Sequence, residues 1–227
     1  MWCVSDVDDE YVRRMEDLLD LYEKEHDPLE PVICLDEKSI QLTADVRPVL
    51  PMKPGKPLRP DYEYERKGTA NAFYMVQPKV GKHIVKVTET RSAPEFAEMM
   101  RGIGNAYPRA NKIHVVLDNL NTHCEKSLLE QLGPKRGANL WNRFDVHYTP
   151  VHGSWLNQAE IGISLYAREC LGGSKGRIPT IEALSDRSYA WQMAATNACR
   201  TINWKFTKEK AREKFGYSPL NFTRPRT

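Results

Sequence analysis

Three carboxylates are marked out by residue type and position. Asp36 follows the apolar run Pro31-Val-Ile-Cys-Leu35, and Asp118 follows Ile113-His-Val-Val-Leu117. Short β-branched runs of this kind read as buried strands. An acid after the last apolar residue belongs at the carboxyl edge, where open α/β sheets bind ligands. Glu160 lies beside the stripe Leu156, Ala159, Ile163, Tyr166 and Cys170 of a helix predicted from Ser154 to Leu171. Three carboxylates converging in a partly buried place repel one another unless neutralised. Mg²⁺ is the expected neutraliser, because it takes oxygen ligands and keeps positions open for water or phosphate. Two such ions, with Mn²⁺ as substitute, could clamp the attacking and leaving oxygens of a phosphodiester. Read singly, each acid is equally a strand-end cap or a surface group. No Ser/His/Asp or Cys/His arrangement stands at recognisable spacing, so a covalent nucleophile is not indicated.

Other polar residues cluster near these acids, each with two readings. Glu37 is expected to be non-catalytic, since adjacent strand residues face opposite ways. Asn119 and His123 either orient a ligand from behind Asp118 or serve as a turn former and a helix start. Asn157, one helical turn before Glu160, either supports the metal site or DNA or makes local hydrogen bonds. His152 and Trp155 sit on the loop leading to Glu160. They are DNA-contact candidates, Trp155 by base stacking, with an anchoring core role as its alternative.

The segment 48–60 repeats proline every third residue, at Pro48, Pro51, Pro54, Pro57 and Pro60. Polyproline II has this period. Lys53, Lys56 and Arg59 would then form a cationic edge for a phosphate backbone or a partner subunit. The alternative is a semi-rigid spacer with solvated charges.

The elements that must position these residues are legible in outline. A capping box at Ser5-x-x-Asp8 should open an amphipathic helix from about Asp6 to His26. Strands are expected at 31–36, 69–76, 83–88, 113–118 and 144–149, the second and third forming a hairpin. Helices are expected at 94–103, 123–132, 154–171, 180–200 and 208–215, with Thr180 as a cap. This order predicts an α/β fold with a mixed five-stranded sheet flanked by helices.

With 227 residues, a full core is affordable. No apolar run approaches a membrane span, and the start lacks the basic flank and apolar stretch of a signal peptide. Five cysteines without a CxxC pair indicate neither structural zinc nor a disulfide framework, and suit a reducing cytoplasm. Residues 1–30 hold eleven acids against three bases, a charge of −8, whereas the whole chain carries +3. The remainder is therefore +11, which suggests a polyanionic partner. An organisation follows of an acidic helix and linker (1–30), a catalytic domain (31–200) and a basic extension (201–227). The acidic helix is expected to cap the body, with dimerisation as its alternative.

At these residues the sequence resembles DDE transposases of the mariner superfamily, in particular the bacterial insertion-sequence branch. The blocks are Cys34-Leu-Asp-Glu-Lys-Ser-Ile-Gln41, Leu117-Asp-Asn-Leu-Asn-Thr-His123 and Thr149-Pro-Val-His-Gly-Ser-Trp-Leu-Asn-Gln-Ala-Glu160. Lys53-Pro-Gly-Lys-Pro57 and Gly68-Thr69 lie between them. The resemblance implies an RNase H-like fold with Asp36, Asp118 and Glu160 as the metal-binding triad. It also implies hydrolytic cleavage at element ends, then joining of the 3′-hydroxyl to target DNA, at a nucleoid-associated location. Implied partners are double-stranded DNA, both element ends and target, and a second copy in a homodimer. Relatives carry an N-terminal helix-turn-helix reader, which the 35 residues before Asp36 do not provide. A separately encoded reader is one expectation. Two rival functions stay open: an inactive remnant that binds DNA or titrates a dimer partner, and a structure-specific resolvase.

Overall fold

The computed structural model describes residues 7–47, 52–56, 62–172 and 176–218. The chain begins with helix α1 (Asp9–Glu23), whose N-cap is Asp8, accepting from the Tyr11 amide at 2.7 Å. The expected cap residue Ser5 lies outside the described residues. Five strands follow: β1 (Val32–Asp45), β2 (Tyr64–Gln77), β3 (Lys82–Thr88), β4 (Ile113–Leu117) and β5 (Phe144–Tyr148). Helix α2 (Ala93–Ala106) joins β3 to β4, and α3 (Glu125–Leu132) with α4 (Pro134–Trp141) joins β4 to β5. Three more helices close the chain: α5 (Ala159–Glu169), α6 (Ile181–Asn197) and α7 (Lys208–Phe215).

The sheet order is β3-β2-β1-β4-β5. β1, β2 and β3 are antiparallel to their neighbours, whereas β1, β4 and β5 are parallel. This is the expected five-stranded mixed sheet. The β2–β3 hairpin forms where the sequence places it, with Val76 opposite His83.

Side chains alternate across the sheet as the strand period of two requires. Ile33, Leu35, Phe73, Met75, Val115 and Leu117 pack against Phe96, Met100 and Ile103 of α2. Cys34, Ala72, Tyr74, Val76 and Val116 turn the other way, onto α1, α5 and α6. In α5 the close packing has a visible cause. A Cβ on Gly162 would come 2.4 Å from Tyr74 Oη, so glycine lets the helix rest directly on β2.

Four expectations need correction. β1 does not stop at Asp36 but runs nine residues further, because Ile40 and Leu42 keep an alternating buried face against β2. The helix expected over 154–171 is interrupted. Ser154–Leu156 form a 3₁₀ turn, and the α-helix starts only at Ala159. The polyproline reading fails at Pro54-Gly55, where the backbone reverses. Lys53 and Lys56 exchange two backbone hydrogen bonds, at 3.0 and 2.8 Å, around Gly55 with φ +74°. Proline presets the first position of such a turn and glycine supplies the positive φ. Arg59 and Pro48, Pro51, Pro57 and Pro60 lie outside the described residues. Helix α4 was not anticipated, although Pro134 suits the first turn of a helix.

The N-terminal helix is no loose appendage. Met15, Leu18 and Leu19 are wholly buried in the same core as Cys34 and Val116. Tyr22 Oη donates to Leu156 O at 2.8 Å. Trp204 and Phe206 from the basic C-terminal stretch pack on this core too, with the Tyr22 and Trp204 rings edge to face.

Candidate active site

β1 and β4 bring the first two acids together. Their parallel register pairs Ile33 with Val115 and Cys34 with Val116. Carried two residues further, it sets Asp36 beside Asp118. Residues at one register level of a parallel pair share a face, so both acids start on the side covered by α5. Glu160 lies in the first turn of α5, where the helix dipole favours a carboxylate.

Asn157 fixes this relation. Its side-chain amide donates to Leu35 O at 2.9 Å, one residue before Asp36, and its Oδ1 accepts from the Ala159 amide at 3.1 Å. One buried side chain thus ties β1 at Asp36 to the start of the helix bearing Glu160. Gly162, by admitting Tyr74, sets the depth of that helix on the sheet.

The electrostatics mark the place. Burial first, then repulsion from Glu160, Asp118 and Glu37, pushes the Asp36 carboxyl from 3.8 up to about 7, against one hydrogen bond from the Glu37 amide. Among the described residues, no basic side chain forms an ion pair with Asp36 or Glu160. Three carboxylates gathered around an Asp36 that lacks a basic partner fit the donor chemistry of a hard divalent cation. Their oxygens are not all within 4.8 Å of one another, so shared coordination requires side-chain rotation.

Asp118 differs from Asp36 in having a cation beside it. His123 Nδ1 stands 2.6 Å from Asp118 Oδ1, out of line for a straight hydrogen bond, and Nε2 is 2.7 Å from Glu37 Oε1. The imidazole is 1% exposed and stacks on Phe96, with centroids 4.6 Å apart. Burial alone would lower its pKa, but the two carboxylates outweigh that and raise it from 6.5 to about 9. Burial alone would raise Asp118, and the His123 pair holds it down instead. Glu37 points to the opposite face from Asp36, as strand alternation requires, and anchors this imidazolium.

The remaining candidates fall into two groups. Asn119 is exposed, and its amide bonds Thr149 O at 2.6 Å and the Arg14 guanidinium, so it ties the loop to α1 and the end of β5. Trp155 packs against Phe206 and Phe215, and its indole N–H donates to Tyr11 Oη at 3.2 Å, an anchoring position. His152 is exposed, with φ +61°, on the loop before the 3₁₀ turn. Lys53 and Lys56 are exposed at the tip of the reversal.

The sequence reading passed over a second cluster, His114, Asp145 and His147. Among the described residues, it is the group of three or more metal-ligating side chains whose ligand atoms lie within 4.8 Å of one another. Its signal is present in Asp145-Val-His147, an acid and a histidine two apart on one strand face, with a histidine in the neighbouring apolar strand.

Comparison with known proteins agrees with this architecture. Residues 31–185 match the family model described as DDE superfamily endonuclease. The fold resembles a Mos1 transposase paired-end complex with the left transposon end, with a TM-score of 0.56 and 15% identity, over 94% of this chain and 63% of that one. A Mos1 mariner paired-end complex with Mn gives 0.55 and 15%, over 95% and 63%. The Mos1 strand transfer complex gives 0.54 and 15%, over 95% and 62%. The RNase H-like fold is thereby shared, and the chain spans less than two thirds of each of these three solved chains. No curated protein matches the sequence significantly. Among the described residues, no helix is long and apolar enough to cross a membrane.

Proposed function

The chain belongs to the DDE superfamily endonucleases, and on that premise we propose that it is the catalytic domain of a metal-dependent transposase. It cuts double-stranded DNA at element ends and joins the freed 3′-hydroxyl to target DNA by transesterification. The observation that carries this reading is the raised Asp36 carboxyl, half-buried beside Asp118 and Glu160 with, among the described residues, no base paired to it.

Asp36, Asp118 and Glu160 would hold two Mg²⁺ ions, or Mn²⁺ in their place. Bound there, such ions polarise a phosphoryl oxygen and lower the pKa of the attacking water. The chain's own residues prepare the site. The His123 imidazolium keeps Asp118 ionised and steers one of its oxygens. Glu37 holds that imidazolium from behind. Asn157 keeps β1 and α5 in step, so Asp36 and Glu160 cannot drift apart independently. Lys53 and Lys56, on the exposed reversal, and His152 are the proposed backbone contacts to DNA. The proposal includes work on element ends by two copies at the bacterial nucleoid, with end reading by a separately encoded helix-turn-helix module, and these parts rest on the sequence resemblance.

Metal-dependent nicking of a labelled duplex tests the proposal. Wild-type protein should nick in Mg²⁺ or Mn²⁺ and transfer a pre-cut 3′ end to target, and Asp118→Asn should do neither. Metal-independent binding without nicking would instead identify an inactive DNA-binding relative. Cutting confined to branched DNA, with no joining, would identify a resolvase.

A further inference from the structure

We propose that His114, His147 and Asp145 form a second divalent-metal site, of the zinc class, at the opposite end of β4 from Asp118. The inference does not depend on the reading of the carboxylate triad. Asp118 lies four residue steps beyond His114 along the chain, or about 13 Å at ~3.3 Å per residue.

Distances among the three side chains carry the argument. His114 Nδ1 lies 3.0 Å from His147 Nε2 and 3.4 Å from Asp145 Oδ2, and His147 Nε2 lies 3.7 Å from the same oxygen. Tetrahedral zinc with bonds of about 2.0–2.1 Å has ligand-to-ligand edges of about 3.3–3.4 Å. The observed sides run from 3.0 to 3.7 Å and so span that value. Both imidazoles are nearly buried, at 8% and 2% exposure, whereas the Asp145 side chain is 41% exposed.

Hydrogen-bond accounting gives an independent reason. His147 Nδ1 donates to Asp17 Oδ2 on α1 at 2.5 Å. With both rings neutral, its Nε2 is then a lone pair and His114 Nδ1–H donates to it. That leaves His114 Nε2 as a buried bare nitrogen with no hydrogen-bond partner, 3.8 Å from the Glu30 carboxylate. A cation bound by His114 Nδ1 and His147 Nε2 reverses this. His114 Nε2 then carries the proton, facing Glu30, and each imidazole is backed by a carboxylate. Metal-binding histidines are commonly held in this way. Two imidazole nitrogens select zinc-class ions over Mg²⁺. Because the ligands come from β4 and β5 and one holder from α1, the ion would pin the acidic helix to the sheet.

Cobalt spectroscopy on the full chain tests this. Metal-free protein in excess Mg²⁺, which fills oxygen-only sites, is titrated with Co²⁺. We expect the intense visible bands of four-coordinate cobalt, saturating at one equivalent and bleached by Zn²⁺. The bands should persist in Asp36→Asn and vanish in His114→Gln/His147→Gln. Asp17→Asn, which leaves all three ligands in place, should weaken Zn²⁺ binding about ten- to hundredfold. Asp145→Asn, at a half-exposed position, is the variant to use if the histidine pair proves needed for folding, and it should lose the bands. Absent bands in the wild type, bands surviving in the ligand variants, or bands lost in Asp36→Asn would each overturn the proposal.

Discussion

Along α1, Glu10 is gripped by Arg13 and Arg14, Glu16 by Arg212, Asp20 by Lys208 and Asp17 by His147. Hydrogen bonds from Arg13 and Arg14 bring the Glu10 carboxyl down to about 2. On the same side of the sheet, Asp36 is raised to about 7 by burial and by repulsion from Glu160, Asp118 and Glu37. Yet α1 is the denser in acids, with six in its 15 residues, whereas the five strands together hold five. What separates the two regions is compensation. Lys208 and Arg212 bring bases to α1, whereas among the described residues no base forms an ion pair with Asp36. A dense run of acids therefore marked a packed helix, and three acids far apart in sequence form the candidate site.

Four variants would break or sharpen that contrast, beginning with the largest expected effect. His123→Ala removes the cation that joins Asp118 to buried Glu37. It should cost about 3–5 kcal/mol in denaturant unfolding at neutral pH, because it strands a buried charge. The folded pKa of His123 lies above 6.5, so its contribution is complete below 6.5 and disappears as pH rises through about 9. The deficit of the variant should shrink over that range; a constant deficit would mean that lost packing on Phe96 alone explains it.

Asp36→Asn comes next, and should act oppositely on stability and activity. Nicking should fall at least about a hundredfold, since a cation ligand worth several kcal/mol is lost. Folding should not suffer. Asp36 keeps its proton more tightly when folded, so its stabilising contribution is full below 3.8 and lost as pH rises through about 7. The melting temperature of the variant should overtake that of the wild type across this interval in metal-free buffer. A lower melting temperature throughout would show that Asp36 is compensated after all.

Asn157→Ala should cost about 1–3 kcal/mol through its two buried hydrogen bonds. Amide exchange should accelerate at the start of α5 while α6 stays protected. The smallest effect is expected for Arg212→Met, whose partly exposed pair with Glu16 should be worth less than about 1 kcal/mol. Strong salt should erase it, as screening weakens exposed pairs.

Much of the fold was written locally. Thr180 caps α6 through the Ala183 amide, and α7 spans the expected Lys208–Phe215. The β2–β3 hairpin follows from two apolar runs around Pro78 and Gly81. Boundaries failed where a distant partner decided them. Within Glu37–Asp45 the alternation Ser39-Ile40-Gln41-Leu42-Thr43 is a short strand signal that the reading passed over, and pairing with β2 carries β1 through it to Asp45. Asn157 and Gln158 interrupt the predicted helix because the Asn157 side chain is engaged with β1.

By itself, then, the sequence determined the element types, most caps and turns, and which acids stand after apolar runs, since these depend on neighbours within a few residues. Tertiary structure alone decided that Asp36 and Asp118 share a register level and that α1 finds its bases on α7. It also decided that His114 meets Asp145 and His147. The physical reason is range. Propensity and periodicity act over one or two turns, whereas charge compensation and ligand geometry arise from strand pairing and helix packing between segments far apart in the chain.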